Sequence, residues 1–204
     1  MSALLLVRLK IPDLTAWTAL DAAGALLAAR GPRGKAIELA RLVREEVYLF
    51  EAAPGRAAEA FEAGLARAIE SSNFFVNPNK ESFRLSRSAD RGKAWAPPEG
   101  AWGILSRSRV DTRDVGLNER LQREHPLPDL GAIRRARVWW LWTKAPDGSP
   151  GIEAAYEAVG PVVDAGRGLL VNPHSEASLR MDGPTAWSRV ESFLAESASA
   201  LTAA

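Results

Sequence analysis

One octapeptide pattern occurs twice in this chain, and it constrains the fold more than any other feature. Phe74-Phe75-Val76-Asn77-Pro78-Asn79-Lys80-Glu81 and Leu169-Leu170-Val171-Asn172-Pro173-His174-Ser175-Glu176 share an apolar pair, Val-Asn-Pro and a closing Glu, at a constant offset of 95 residues. Upstream of each copy lies a second match, Val47-Tyr48-Leu49-Phe50 against Val138-Trp139-Trp140-Leu141, followed in both cases by a turn and a helical stretch of similar length. A repeated segment implies a repeated structural unit, and missing it misassigns the whole fold.

The elements between these anchors fall in one order in both halves. Residues 4–11 alternate in part, with Leu5, Val7, Leu9 and Ile11 in one register, as a half-buried strand does. Pro12 ends that strand, since proline cannot donate to a sheet ladder. Asp13 or Thr15 then caps a helix to about Ala29, with Trp17, Leu20, Ala23 and Leu27 expected on its inward face. After a turn at residues 31–34, residues 37–43 and 47–50 read as a strand pair separated by Arg44-Glu45-Glu46. Residues 57–72 form the clearest helix, with Phe61, Leu65, Ala68 and Ile69 as its apolar stripe, and a strand at 82–85 closes the unit.

Residues 87–100 are polar and hold Pro97-Pro98, which is linker chemistry. The order then restarts: a strand at 102–110, a short helix at 115–124, a long aromatic strand or strand pair at 133–143, a helix at 152–165 with a kink or break at Pro161, and a strand at 178–181. The expected organisation is therefore a first unit at 1–86, a linker at 87–100, a second unit at 101–183 and a helical extension at 184–204. In that extension Trp187, Val190, Phe193 and Leu194 share one side. The fold class is α+β: two tandem ferredoxin-like βαββαβ units with antiparallel sheets, which cover each other face to face or join as one longer sheet.

Composition narrows the chemistry. The chain has no cysteine, so disulfides, thiolate nucleophiles and sulfur-ligated metals are excluded. A formal net charge of +1 argues against a general nucleic-acid binder. No apolar run approaches the roughly 20 residues of a membrane span, and the expected location is cytoplasmic. No phosphate-binding glycine loop, no His/Asp/Glu metal pattern and no Gly-x-Ser-x-Gly nucleophile motif is present, so neither a cofactor nor a catalytic residue is assigned.

Of the two histidines, His125 sits at a helix end, where a charge–dipole contact accounts for it. His174 and Glu176, beside the second Asn-Pro, are the one polar pair that suits a cleft between the units. Seven tryptophans are unusual, and Trp140 and Trp142 share one strand face while Trp139 points to the other. Buried core and inter-unit contact explain them better than base stacking, although Arg134, Arg135 and Arg137 adjoin them.

Each half resembles PurS, the small subunit of bacterial formylglycinamidine ribonucleotide synthetase in purine biosynthesis. Residues 57–78 with 82–85, and 152–173 with 178–181, carry the resemblance through a helix, an apolar pair and Asn-Pro before the last strand. The helix at 13–29 and the strand pair at 42–50 also sit where that family has theirs. The family's Gly-Lys-Tyr before its third strand is replaced here by Glu45-Glu46-Val47 and by Arg137-Val138-Trp139. The resemblance implies a non-catalytic subunit that bridges a synthetase subunit and a glutaminase subunit, with association between copies of the chain also open. On that reading Asn77, Pro78, Asn172 and Pro173 set the shape of the contacting turns, and Trp140 and Trp142 lie in interfaces. Two other classes stand beside it: a small-molecule sensor using the cleft between the units, and a divergent ferredoxin-like enzyme.

Overall fold

A computed structural model describes residues 2–30, 37–55, 57–86, 95–111, 113–161 and 169–196. The first half comprises β1 (Ser2–Leu9), α1 (Leu14–Arg30), β2 (Glu38–Ala52), α2 (Ala58–Ser71) and β3 (Glu81–Ser86). The second repeats that order with β4 (Trp102–Ser108), α3 (Val115–Glu124), β5 (Leu130–Lys144), α4 (Ile152–Val159) and β6 (Glu176–Met181), and α5 (Trp187–Ala195) follows. All six strands form one antiparallel sheet in the order β3-β1-β2-β5-β4-β6. The longer-sheet arrangement is thus the one adopted.

The expected strand pair in the first half is a single strand, β2, of 15 residues, and β5 matches it in length. Arg44-Glu45-Glu46 looked like a break because three consecutive charges rarely cross a sheet. Each of them has a partner inside the fold. Arg44 Nε lies 3.0 Å from Asp13 Oδ2, Glu45 accepts from Arg8 and from Trp140, and Glu46 pairs with Arg135 and Arg137. With no Gly, Pro, Asn or Asp in that stretch to turn the chain, the strand continues.

Strand β2 outruns β1, whose pairing stops at Val7↔Glu46, and its first half pairs with β5 alone. Helix α1, leaving the far end of β1, therefore settles over this first stretch of β2, with Leu42, and over the second half's strands beside it. It packs beside α4 on Trp102, Ile104, Trp139 and Leu141. Helix α3 makes the reciprocal crossing. Its Leu121, with Leu127 from the following loop, joins α2 residues Phe61, Leu65 and Ile69 over β1 and β2. Each half thus completes its core with a helix from the other, and both helix pairs lie on one face of the sheet.

The opposite face is covered as well, which corrects the half-buried reading of β1: Leu4 and Leu6 are buried there as fully as Ala3 and Leu5 on the helix side. Trp187, Val190, Phe193 and Leu194 of α5 cover it, together with Trp95. Of the expected linker, residues 87–94 lie outside the described residues, but Trp95 is buried. It exchanges backbone hydrogen bonds with Thr185 at 2.8 and 2.9 Å. The turn at 31–34 and the 162–165 end of the expected helix also lie outside the described residues; α4 stops at Val159, before Pro161. On α1 Leu20, Ala23 and Leu27 face inward as expected, but Ala16 takes the place of Trp17. Ala16, Ala23 and Leu27 are buried, whereas Trp17 is 59% exposed.

The repeated device is visible in atomic detail. Asp13 Oδ1 accepts from Thr15 N and Ala16 N at the start of α1, and Asp114 Oδ1 accepts from Leu117 N at the start of α3, each satisfying an orphan helix donor. Asn77 Oδ1 accepts from Asn79 N at 3.1 Å and Asn172 Oδ1 from His174 N at 3.0 Å. Glu81 Oε2 accepts from Asn77 N and Glu176 Oε2 from Asn172 N, both at 2.7 Å. The Asn and Glu recur because together they close the turn into the edge strand.

Candidate functional site

Between the two helix pairs the sheet surface carries a line of polar residues. Register pairs Val7 with Glu46, Glu46 with Arg137, Arg137 with Ser106 and Ser106 with Ser178. Residues directly opposite in adjacent strands share a face, so Glu46, Arg137, Ser106 and Ser178 form one polar rung across β2, β5, β4 and β6. The adjoining rung toward α1 and α4 holds Arg44, Trp139 and Ile104; the one toward α2 and α3 holds Tyr48 and Arg135.

Two connected depressions lie over these rungs. The polar one, about 440 Å³, is lined by Glu46, Ser106, Asp111, Asp114, Arg135 and Arg137, among others. The apolar one, about 610 Å³, runs between α1 and the second Asn-Pro turn, along Leu14, Thr18, Ala22, Trp139, Leu169 and Leu170. Arg137 and Glu176 border both, so the two form one cleft with a polar and an apolar end. These volumes fall within the range of about 300–1,000 Å³ usual for small-molecule sites.

Its hydrogen-bond inventory is unbalanced. Ser106 Oγ, Trp139 Nε1 and Arg137 Nε are buried and make no hydrogen bond among the described residues. Arg137 Nε lies 3.5 Å from Glu46 Oε1, and Arg135 Nε 3.4 Å from Glu46 Oε2, so a single carboxylate serves two guanidinium groups at long range. The other carboxylates at the cleft are engaged: Asp114 and Glu176 accept from backbone amides, and Asp111 is paired with Arg113 at 2.9 Å. That hydrogen-bonded pairing holds the Asp111 carboxyl at about 2, against an ordinary 3.8. Burial pushes the Tyr48 phenol above its ordinary 10.0, with the nearby Arg135 opposing it and Glu46 reinforcing it. Buried polar groups normally find partners, so three unpaired groups around one cleft mark a place where a ligand's acceptors fit.

The residues singled out from sequence divide clearly. Glu176 lines the cleft, while His174 is exposed and outside its lining, so the two do not form an acid–base pair there. Asn77 and Asn172 close the turns, with Pro78 exposed and Pro173 half-buried beside them. Trp140 is fully buried within the chain, its Nε1 donating to Glu45 Oε2 at 2.8 Å. Trp142 stacks under the Arg41 guanidinium at 4.6 Å and donates to Glu99 O. His125 ends α3, its ring edge-on to Phe74 at 5.7 Å.

Sequence reading gave no role to Ser106 or Glu46. The signal was slight: one serine in the apolar strand Trp102–Ser108, and a glutamate midway along β2. Among the described residues no group of three or more His, Asp or Glu is placed to hold a metal ion, and no helix is long and apolar enough to cross a membrane. No family model, curated protein or solved structure matches this chain.

Proposed function

We propose that this protein binds a small molecule in the cleft between its two helix pairs, without chemistry of its own. The observation that carries the reading is the trio of buried atoms without a hydrogen bond among the described residues, Ser106 Oγ, Trp139 Nε1 and Arg137 Nε, on residues that line one depression. Catalysis would need a positioned acid, base or nucleophile, and Glu176, the titratable residue both depressions share, has its carboxylate turned onto the Asn172 amide. Thermal shifts across a metabolite panel that includes purine nucleotides test it. A ligand is expected to raise Tm in the parent protein and to lose that effect in Arg137→Gln; a panel without any Arg137-dependent shift refutes the proposal.

The finer fold reading, two ferredoxin-like units fused in tandem, belongs to the same proposal, supported by the repeated element order and the paired Asn-Pro turns. So does the cytoplasmic location expected from a sequence without an apolar run of membrane-span length. A second functional reading is the PurS-like bridge between a synthetase and a glutaminase subunit. One observation favours it: β3 and β6 are repeat-related edge strands at opposite ends of the sheet, each entered through the same turn, so two partners could be met symmetrically. Affinity purification from the native host, with the co-eluting proteins identified, tests this: recovery of both enzymes supports bridging, and elution of the chain alone removes it.

A further inference from the structure

The two halves treat the same place differently. Strand registers match Val7 of the first half with Ser106 of the second, and Glu46 with Arg137, when Val47 is aligned on Val138. The octapeptide matches Phe74 with Leu169. In the first half this region is filled: Val7 is buried, and Phe74 lies against Phe75 and the edge of His125, with the Arg120 guanidinium 4.4 Å over its ring. In the second half Leu169 is 37% exposed and faces the open groove along α1. One repeat has closed the space with an aromatic ring, while the other has left it open and placed a hydroxyl and a guanidinium at its inner end.

That open end dictates a ligand. The unpaired groups there, an indole N–H, a guanidinium N–H and a serine hydroxyl, can all donate, so the ligand supplies acceptors. Arg137 shares Glu46 with Arg135 at long range, so its guanidinium retains donors for one carboxylate of a ligand. A dianionic phosphate would bring a second negative charge beside Glu46 and Glu176, against guanidinium groups that already share Glu46. Beyond Arg137 the lining is Leu14, Ala19, Ala22, Trp139, Leu169 and Leu170 with Thr15, Thr18, Asn172 and Glu176; Thr18 Oγ1 donates to Leu14 O, Glu176 accepts from Asn172 N and Asn172 Oδ1 from His174 N, so the rest of the ligand is mainly apolar. Resting on the cleft-binding reading above, we propose that the second-half cleft holds one amphipathic monocarboxylate, such as a medium-chain or aryl-alkyl acid. Its carboxylate meets Arg137 and Ser106, and its tail lies along α1 beside Trp139.

Decanoate is the probe, titrated by calorimetry below its micelle concentration, with decanol, decyl phosphate and decyltrimethylammonium as comparators. One decanoate per chain is expected, with the Trp139 indole N–H resonance shifting on binding. Arg137→Gln should weaken binding at least tenfold. Ser106→Val, which installs the first half's own residue, should weaken it about threefold, and Ala22→Leu on the groove wall provides a variant that leaves the polar end intact and should also weaken it. Equal binding of decanol, tighter binding of decyl phosphate, more than one site per chain, or affinity indifferent to Arg137→Gln would each overturn the assignment. Should no probe bind while a panel metabolite still gives an Arg137-dependent thermal shift, the carboxylate class fails and the cleft reading stands. If neither occurs, both fall.

Discussion

Replacing Gly103 by alanine puts the packing of the second sheet face to a numerical test. A Cβ at that position would lie 2.5 Å from Trp140 Cζ3 and 2.7 Å from Cε3, whereas carbon atoms pack at about 3.5–4.0 Å. The indole has nowhere to retreat. It is fully buried, its Nε1 is held by Glu45 Oε2, and Trp95 meets it edge-on with ring centroids 5.8 Å apart. Overpacking of this kind costs about 1–3 kcal/mol, and a displaced ring also weakens a hydrogen bond to a charged acceptor worth about 1.5–3 kcal/mol. The expected loss for Gly103→Ala is about 3 kcal/mol. At roughly 2–4 °C per kcal/mol for a chain of this size, Tm should fall by about 6–12 °C. Urea unfolding of Gly103→Ala, Trp140→Leu and the double variant checks the cause. Removing the indole removes the clash, so the double variant should be at least about 1.5 kcal/mol more stable than additivity predicts. A single variant within about 0.5 kcal/mol of the parent, or strictly additive effects, would refute the argument.

Three further outcomes follow from the geometry. Ser106→Val should raise stability by about 1 kcal/mol in urea unfolding, because it removes a buried hydroxyl without a partner, even as it impairs the cleft. Because the Tyr48 phenol is raised above 10.0 in the fold, its contribution is complete below about pH 10 and is lost as pH climbs through the raised value; Tyr48→Phe should flatten the alkaline end of a stability–pH curve. A fragment ending at Ser86 should not fold cooperatively by circular dichroism, since its α2 core lacks Leu121, Leu127, Leu130 and Ile133, and the α1 core keeps Ile37 and Leu42 but lacks Trp102, Ile104, Trp139 and Leu141.

Much of the fold was legible because its signals are local. The period of Phe61, Leu65, Ala68 and Ile69 defines α2, and the recurring Asn-Pro marks both turns into the edge strands. What escaped depends on contacts across distant sequence. The charges in β2 read as a break because their partners, Arg8, Asp13, Arg135, Arg137 and Trp140, lie on three other elements and loops. Trp17 fits the three-and-four spacing of Leu20, Ala23 and Leu27, yet the small Ala16 is the residue that meets the strands. Glu176 stands out in the sequence beside the second Asn-Pro and lines the depression, but the depression's polar floor has no such signal. A rung of four residues drawn from four strands leaves no spacing pattern in the chain, because register, not sequence distance, brings it together.

That rung lies on an axis of approximate symmetry. Aligning Val47 with Val138 makes Arg44 the counterpart of Arg135 and Tyr48 the counterpart of Trp139. The cross-strand pairs Arg44↔Trp139 and Tyr48↔Arg135 are then images of one another. The approximate dyad relating them passes through Glu46↔Arg137, where a residue meets its own counterpart. In a symmetric dimer of identical chains that position would set glutamate against glutamate or arginine against arginine, because an isologous interface repeats the same residue on both sides of the axis. Like charges directly opposite in neighbouring strands repel, whereas Glu46 and Arg137 attract. This pair needs two halves that differ in sequence at the axis, as they do here. At the one position on this axis where identical halves would set like charges face to face, the chain places a carboxylate against a guanidinium.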